Sequence, residues 1–405
     1  MEYPVPSRRA VLAATLLGLC ASGAGAQAPS ASPPPEQALA EMRADVQSRA
    51  DHGSYPITGM KPDDAREVLA RISSMDRDEW AAQWSAQADR YMAQGKATEA
   101  TDHAAARAAY ISAWRLYMFA AWPARTSPGK QAAYPKSTEA FRAYGRMQDP
   151  PMEVVRIPFE GKEIVGYLRL PPVPGPAPVV ISTGGLDSFK EYADLMFEPG
   201  LRRHGMGIFA MDIPGTGESA VRMEVGAERA YSKVIDVLSA RPDIDPARIA
   251  VFGVSAGGYW SALLGYTERA RLRAAVALGP PTDHYFDADW QRMSWGTKEY
   301  LFGLKEARMF VYGTSDEASF LAKLPGFSLR TRGILEQPST AMLVGNGAKD
   351  TQVPISDTYL LLNKGSPKFA WISPDAGHTG MAPGVMLDAI TDTVVAPWLA
   401  SQMMR

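Results

Sequence analysis

The segment Gly253-Val254-Ser255-Ala256-Gly257 sets a serine between two glycines, each two residues away. The apolar run Ile249-Ala250-Val251-Phe252 precedes it, and Gly258-Tyr259-Trp260-Ser261-Ala262-Leu263-Leu264 continues in a helix-like pattern. Strand, G-x-S-x-G, then helix is the layout of a nucleophile elbow. So tight a turn crowds any side chain two residues from the serine, and glycine relieves the clash. Ser255 then stands at a helix N-terminus, whose dipole favours a developing negative charge. The chemistry implied is attack on a carbonyl and formation of an acyl-enzyme. A pattern this short also occurs by chance in loops, so the reading rests on its flanks.

A serine hydroxyl needs a base, and the base needs an orienting acid. The histidines are His52, His103, His204, His284 and His378. Only His378 lies in a loop after the last strand-like run, within Ser373-Pro374-Asp375-Ala376-Gly377-His378-Thr379-Gly380. Its small neighbours let the ring swing over the serine; the plainer reading is a solvent-exposed loop histidine. The loop Asn346-Gly347-Ala348-Lys349-Asp350-Thr351-Gln352-Val353-Pro354 follows the preceding strand-like run and supplies Asp350. Asp375 is the rival acid, but three residues from His378 it is badly placed for the far ring nitrogen. The chain order Ser255, Asp350, His378 is that of elbow hydrolases. Ala256 N–H is one expected oxyanion donor, and the loop Thr183-Gly184-Gly185-Leu186 offers the second, from Leu186 or alternatively Gly185. Asp212-Ile213-Pro214-Gly215-Thr216-Gly217-Glu218-Ser219 reads as an architectural turn, because its spacing matches no phosphate-binding loop. No group of residues has metal-ligand spacing.

These residues need a scaffold. The chain has 405 residues, 46% hydrophobic and 21% charged, with a net charge of −2. That is ordinary for a globular enzyme and gives no nucleic-acid signal. Residues 1–26 read as an export signal: Arg8-Arg9 precede the apolar run Val11–Leu19, and Ala24-Gly25-Ala26 offers a cleavage site. The paired arginines suggest twin-arginine export, with an ordinary secretory signal as the alternative. A periplasmic or secreted location follows. The single cysteine, Cys20, falls inside the signal, so the mature chain is expected to hold no disulfide. No later stretch is apolar enough to span a bilayer. Residues 27–37 read as a Pro/Ser-rich linker and 38–150 as a helical N-terminal domain.

From residue 151 to 405 the pattern changes. Glu153–Phe159 and Glu163–Leu170 alternate like a hairpin. The apolar cores Val179–Ile181, Gly207–Met211, Ile249–Phe252, Ala274–Leu278, Ala341–Val344 and Phe369–Ile372 then alternate with helical runs. This predicts a doubly wound, mostly parallel sheet. About 283–335 lacks strand signals but is rich in large apolar residues, and is expected to be a helical cap over the site. Extra helix packed on the core is the alternative.

The elbow, the Asp212 turn and the late Asp and His resemble the α/β-hydrolase superfamily over about 151–402. Gly184-Gly185-Leu186-Asp187-Ser188-Phe189-Lys190-Glu191 and the preceding helical region are similar to the fermentation-respiration switch-like group, which includes the 2,6-dihydroxypseudooxynicotine hydrolase type. That resemblance implies a cofactor-free hydrolase cleaving an acyl bond: the C–C bond of an aryl ketone or β-diketone, or a carboxylic ester. Homodimers are common in the group; the apolar cap, for its part, suggests a small hydrophobic or aromatic acyl substrate. The resemblance places an auxiliary acid at Asp187, one carbon shorter than the group's glutamate; the competing role is capping the next helix. Export departs from the cytoplasmic members. Two rivals remain: a prolyl oligopeptidase-type peptidase, which would carry an N-terminal β-propeller, and a binding protein on an inactive hydrolase scaffold.

Overall fold

The computed structural model describes residues 35–404. The expected export signal, Cys20 and residues 27–34 lie outside the described residues. Five helices come first: α1 (Pro35–Asp51), α2 (Pro62–Arg71), α3 (Arg77–Thr98), α4 (His103–Ala121) and α5 (Pro128–Arg146). The first begins within the segment read as linker. Local chemistry explains the starts. The Asp76 carboxylate accepts from the N–H groups of Asp78 and Glu79, Asp102 from Ala105, and the Ser127 hydroxyl from Lys130. Pro62 and Pro128 occupy first turns, where a missing N–H costs nothing. Among the described residues no strand precedes Glu153, which removes the β-propeller of the peptidase reading.

Eight strands follow: β1 (Glu153–Phe159), β2 (Lys162–Arg169), β3 (Ala177–Thr183), β4 (Gly207–Met211), β5 (Ile244–Val254), β6 (Ala274–Leu278), β7 (Ala341–Gly347) and β8 (Lys368–Ser373). They form one sheet in the order β1-β2-β4-β3-β5-β6-β7-β8. β1 and β2 form the antiparallel hairpin and β2 also pairs antiparallel with β4; all other pairings are parallel. β3, β4 and β6 are buried at every position, which is why they read as unbroken apolar runs. The connecting helices are α6 (Lys190–Asp194), α7 (Arg229–Ser239), α8 (Ala256–Thr267), α9 (Ala288–Ser294), α10 (Leu304–Val311), α11 (Glu317–Lys323), α12 (Ile355–Leu362), α13 (Leu387–Ile390) and α14 (Ala396–Met403). Alternate strand residues feed opposite faces. Val179, Ile181 and Val251 join α7 and α8 on one face, whereas Val180, Ala250 and Phe252 meet Leu399 and Met403 of α14 on the other.

The N-terminal helices have no core of their own. Trp84, Trp114, Phe119 and Phe141 belong to the same buried cluster as Val179, Ile181 and Leu263. Phe141 of α5 stacks on Tyr167 of β2 at 5.7 Å and meets Trp114 edge-on at 5.2 Å. The segment between β6 and β7 is helical, and only a small part of it faces the site. Phe286 packs on Tyr259 of α8, and Phe302 wedges between Trp80 and Trp122 of the helical layer. Only Glu299, Tyr300 and Leu301 of this segment border the large cavity. Most of the cap is therefore a wedge that joins the helical layer to the sheet.

Because Phe141 joins two layers of one core, Phe141→Ala is expected to cost about 3–5 kcal/mol. Urea denaturation followed by far-UV circular dichroism should show a single transition at lower midpoint, not a separate early loss of helix.

Candidate active site

β5 ends at Val254 and α8 begins at Ala256, so Ser255 alone makes the turn, at φ 57° and ψ −121°. A Cβ on Gly253 would lie 2.0 Å from the Gly257 carbonyl oxygen, and one on Gly257 would lie 2.3 Å from the carbonyl oxygen of Gly184. Only hydrogen fits at either place. Ser255 N–H donates to the Leu278 carbonyl at 2.7 Å, which pins the turn to the end of β6.

The Ser255 hydroxyl lies 2.8 Å from Nε2 of His378, and Nδ1 of His378 lies 2.7 Å from Oδ2 of Asp350. Three residues from separate loops thus form one hydrogen-bonded line. With a proton on Nδ1, Asp350 accepts it and Nε2 is left to accept from the serine. Asp350 is held in turn by the N–H groups of Gln352 (2.7 Å) and Val353 (2.9 Å) and by the Asn346 amide (2.8 Å). Burial alone would push the His378 imidazole down, but the Asp350 carboxylate outweighs it and holds the ring above its ordinary value. Asp375 pairs with Lys349 at the surface and takes no part. Of the other histidines, His284 bonds to Ser356 and lies away from this line.

The oxyanion candidates separate on one bond. Gly185 N–H already donates to the Ser188 hydroxyl at 2.6 Å, whereas Leu186 N–H and Ala256 N–H have no partner among the described residues. The Asp212 turn is architectural: its carboxylate accepts from Lys190 N–H and Nζ, each at 2.9 Å, and from Glu218 N–H at 2.9 Å. Burial would lower the Lys190 ammonium, but Asp212 and Glu191 beside it prevail and hold it well above its ordinary range.

Asp187 corrects one expectation. Helix α6 has Phe189 at its N-cap and no side-chain capping bond, so Asp187 caps nothing. Its carboxylate instead accepts from Tyr55 OH (2.7 Å), Tyr300 OH (2.6 Å) and Trp122 Nε1 (2.9 Å). Burial raises its pKa, and these three donors pull it back part of the way.

Two partners escaped the sequence. Glu299, in the cap, accepts from His378 N–H and from Thr351 N–H at 2.9 Å, tying base loop and acid loop together. A Cβ on Gly377 would lie 2.1 Å from that carboxylate, so the glycine makes room for it. Asn346 holds Asp350 with its amide nitrogen and accepts from Thr379 N–H at 2.9 Å with its oxygen. Neither belongs to a motif; Asn346 could have been suspected only as a polar residue ending an apolar strand.

Ser255 and His378 open into a cavity of about 960 Å³. The sheet side contributes Leu186 and Met196, the helical layer Tyr55 and Trp122, and the cap Tyr300 and Leu301. That size and this mixture of apolar wall with few polar groups suit a small organic ligand. Among the described residues there is no His/Cys/Asp/Glu cluster able to hold a metal.

The chain resembles known proteins in both sequence and shape. The family model described as Esterase FrsA-like matches residues 57–367. Esterase FrsA of Enterobacter sp. (strain 638) is 30% identical over 323 residues, covering 74% of this chain and 76% of that protein. Esterase FrsA of Citrobacter koseri is 30% identical over 307 residues, covering 74% and 72%. Among solved structures, 2,6-dihydroxy-pseudo-oxynicotine hydrolase superposes with a TM-score of 0.73 at 23% identity, over 86% of this chain and 94% of that one. AbyA5 gives 0.64 at 22%, over 84% and 89%. At such identities the two structures speak for the fold. The family match, spanning most of the chain, completes what the sheet order and the elbow indicate: this chain belongs to the FrsA-like esterase family of α/β-hydrolases.

Proposed function

We propose that the protein hydrolyses carboxylic esters through an acyl-enzyme formed on Ser255. The observation that carries this is the line from Ser255 Oγ through His378 to Asp350, with both links under 3 Å, at the mouth of an apolar cavity. His378 Nε2 takes the hydroxyl proton as Ser255 Oγ attacks the ester carbonyl. Asp350 keeps the imidazole in the required tautomer and stabilises the imidazolium. The N–H groups of Ala256 and Leu186 receive the oxyanion at the N-terminus of α8. His378 then returns the proton to the leaving alkoxide, and water repeats the sequence to release the acid.

Cleavage of a C–C bond is the second reading, and Asp187 bears on it. A leaving carbanion needs a proton donor, and burial that raises the Asp187 pKa favours a neutral, donating acid there. Three donors aimed at its oxygens favour an acceptor instead, and Tyr55 and Tyr300 spend their own O–H groups on it. The geometric argument is the stronger, and we take the ester as the substrate.

Ser255→Ala is expected to lose fluorophosphonate labelling and to cut p-nitrophenyl ester turnover about 10⁴–10⁶-fold; equal labelling of both proteins would refute the assignment. The base must be neutral, so activity rises with pH through the His378 ionisation. Because Asp350 raises that ionisation, the acid limb of kcat/KM should have its midpoint above 6.5, the ordinary value for histidine. Asp350→Asn should move the limb to lower pH and reduce kcat about 10⁴-fold. Asp187→Asn should depress ester and aryl-ketone cleavage alike; a ketone activity that exceeds the ester activity and alone collapses in this variant would establish C–C cleavage instead.

A further inference from the structure

The charged side chains on the cavity wall are engaged, with one exception. Asp187, Glu299 and His378 hold the partners described above. Glu198 pairs with Arg169 and Arg202. Asp388 accepts from Ala389 N–H at 2.8 Å. Arg49 donates to the carbonyl oxygens of Tyr55 (2.6 Å) and Glu299 (2.9 Å). Arg115, projecting from α4 into the same cavity, makes no hydrogen bond and no ion pair among the described residues, and its Nε is buried without a partner.

This isolation is unusual within the molecule. Arg169, fully buried, faces Asp194 and Glu198, and half-buried Arg142 faces Glu218. Arg308, also fully buried, donates to the side chains of Gln291 and Ser294 and to the Gln352 carbonyl. Burial lowers the Arg115 guanidinium from its ordinary value with only tyrosines, Tyr192 and Tyr144, opposing the shift; it stays charged near neutral pH all the same. The guanidinium lies against the backbone at Gly59, where a Cβ would come within 2.7–2.9 Å of it. A partly buried, unpaired cation is costly, and a group left in that state at a cavity wall calls for a partner that is not part of the chain.

We propose that Arg115 binds a carboxylate carried by the substrate, so that the preferred substrates are esters with a free carboxylate remote from the bond that is cut. The proposal rests on the ester-hydrolase reading above and adds the substrate class. A guanidinium presents parallel N–H groups that match a carboxylate in bidentate geometry. Arg49 adds a second positive charge to the wall, its bonds going to carbonyl oxygens. Arg115 and Ser255 line one cavity, whose apolar walls suit the linking chain or ring.

The test uses the full mature protein and two matched series. One comprises mono-p-nitrophenyl esters of straight-chain dicarboxylic acids from adipate to sebacate; the other comprises p-nitrophenyl esters of monocarboxylic acids with the same number of heavy atoms. Wild type should favour at least one anionic ester over its neutral partner. Arg115→Met should then lower kcat/KM for that ester about 10- to 100-fold more than for the neutral one, mainly through KM. Arg115→Lys, which keeps the charge but not the fork, should recover part of the preference. If wild type labels with fluorophosphonate and hydrolyses both series without preferring any anionic ester, the Arg115 proposal falls and the hydrolase reading stands. Equal losses on both series in Arg115→Met also overturn it. Absence of labelling and of hydrolysis in either series overturns both readings. The wild-type comparison needs no variant to fold.

Discussion

The site depends on a steric constraint at the end of β5. The backbone must reverse from strand to helix within one residue, and the carbonyls of Gly184 and Gly257 close in on the positions that flank it. Ser255 is held at positive φ, a conformation that costs a non-glycine residue about 1–3 kcal/mol. The cost is borne by the elements on either side. β5 is hydrogen-bonded to β3 and β6, and α8 is buried over most of its length. The same closeness brings the ends of β3, β5 and β6 together, so the hydroxyl and the expected oxyanion donors arise from a single packing arrangement. Ligand sites at the carboxyl ends of parallel strands are the rule for such sheets, and here the reason can be named atom by atom.

Much of this was legible in the sequence because it depends on local pattern. The buried strands read as apolar runs, the hairpin as alternation, and the elbow as glycines at fixed offsets. The Asp350 and His378 loops were found by their place after β7 and β8. What escaped consists of contacts between distant segments. Nothing around Glu299 indicates that its carboxylate reaches the backbone of His378, and nothing in α4 marks Arg115 as lacking a partner. The two readings of Asp187 could not be separated until the start of α6 was seen to lack a side-chain bond. The choice between Leu186 and Gly185 turned on the hydroxyl of Ser188, which no spacing rule singles out. In the helical region, periodicity tells which face is apolar but not what it packs against. Pro135 shows another limit: proline signals a break, yet α5 runs through it.

The cavity is a composite of three parts of the chain. The sheet supplies Ser255, and the loops after β7 and β8 supply Asp350 and His378. The helical layer supplies one wall and its cations. The cap supplies the residues between them, including the carboxylate that ties the base loop to the acid loop. Such a construction differs from a catalytic core with a detachable cover, since the walls share one hydrophobic interior with the sheet. Between His378 and α13, Pro383, Gly384 and Val385 are exposed, and Pro383 also borders the cavity.

The bonds around Asp187 carry a consequence for how the substrate range of this lineage can drift. Tyr55 and Tyr300 are both wall and solvation shell: they shape the space, and each donates its hydroxyl to the buried Asp187 side chain. Trimming either to make room for a bulkier molecule removes one of the three donors to that carboxylate. New specificity at this wall is thus coupled to how Asp187 is satisfied. Single steps are open elsewhere, at Leu301, where volume is at stake.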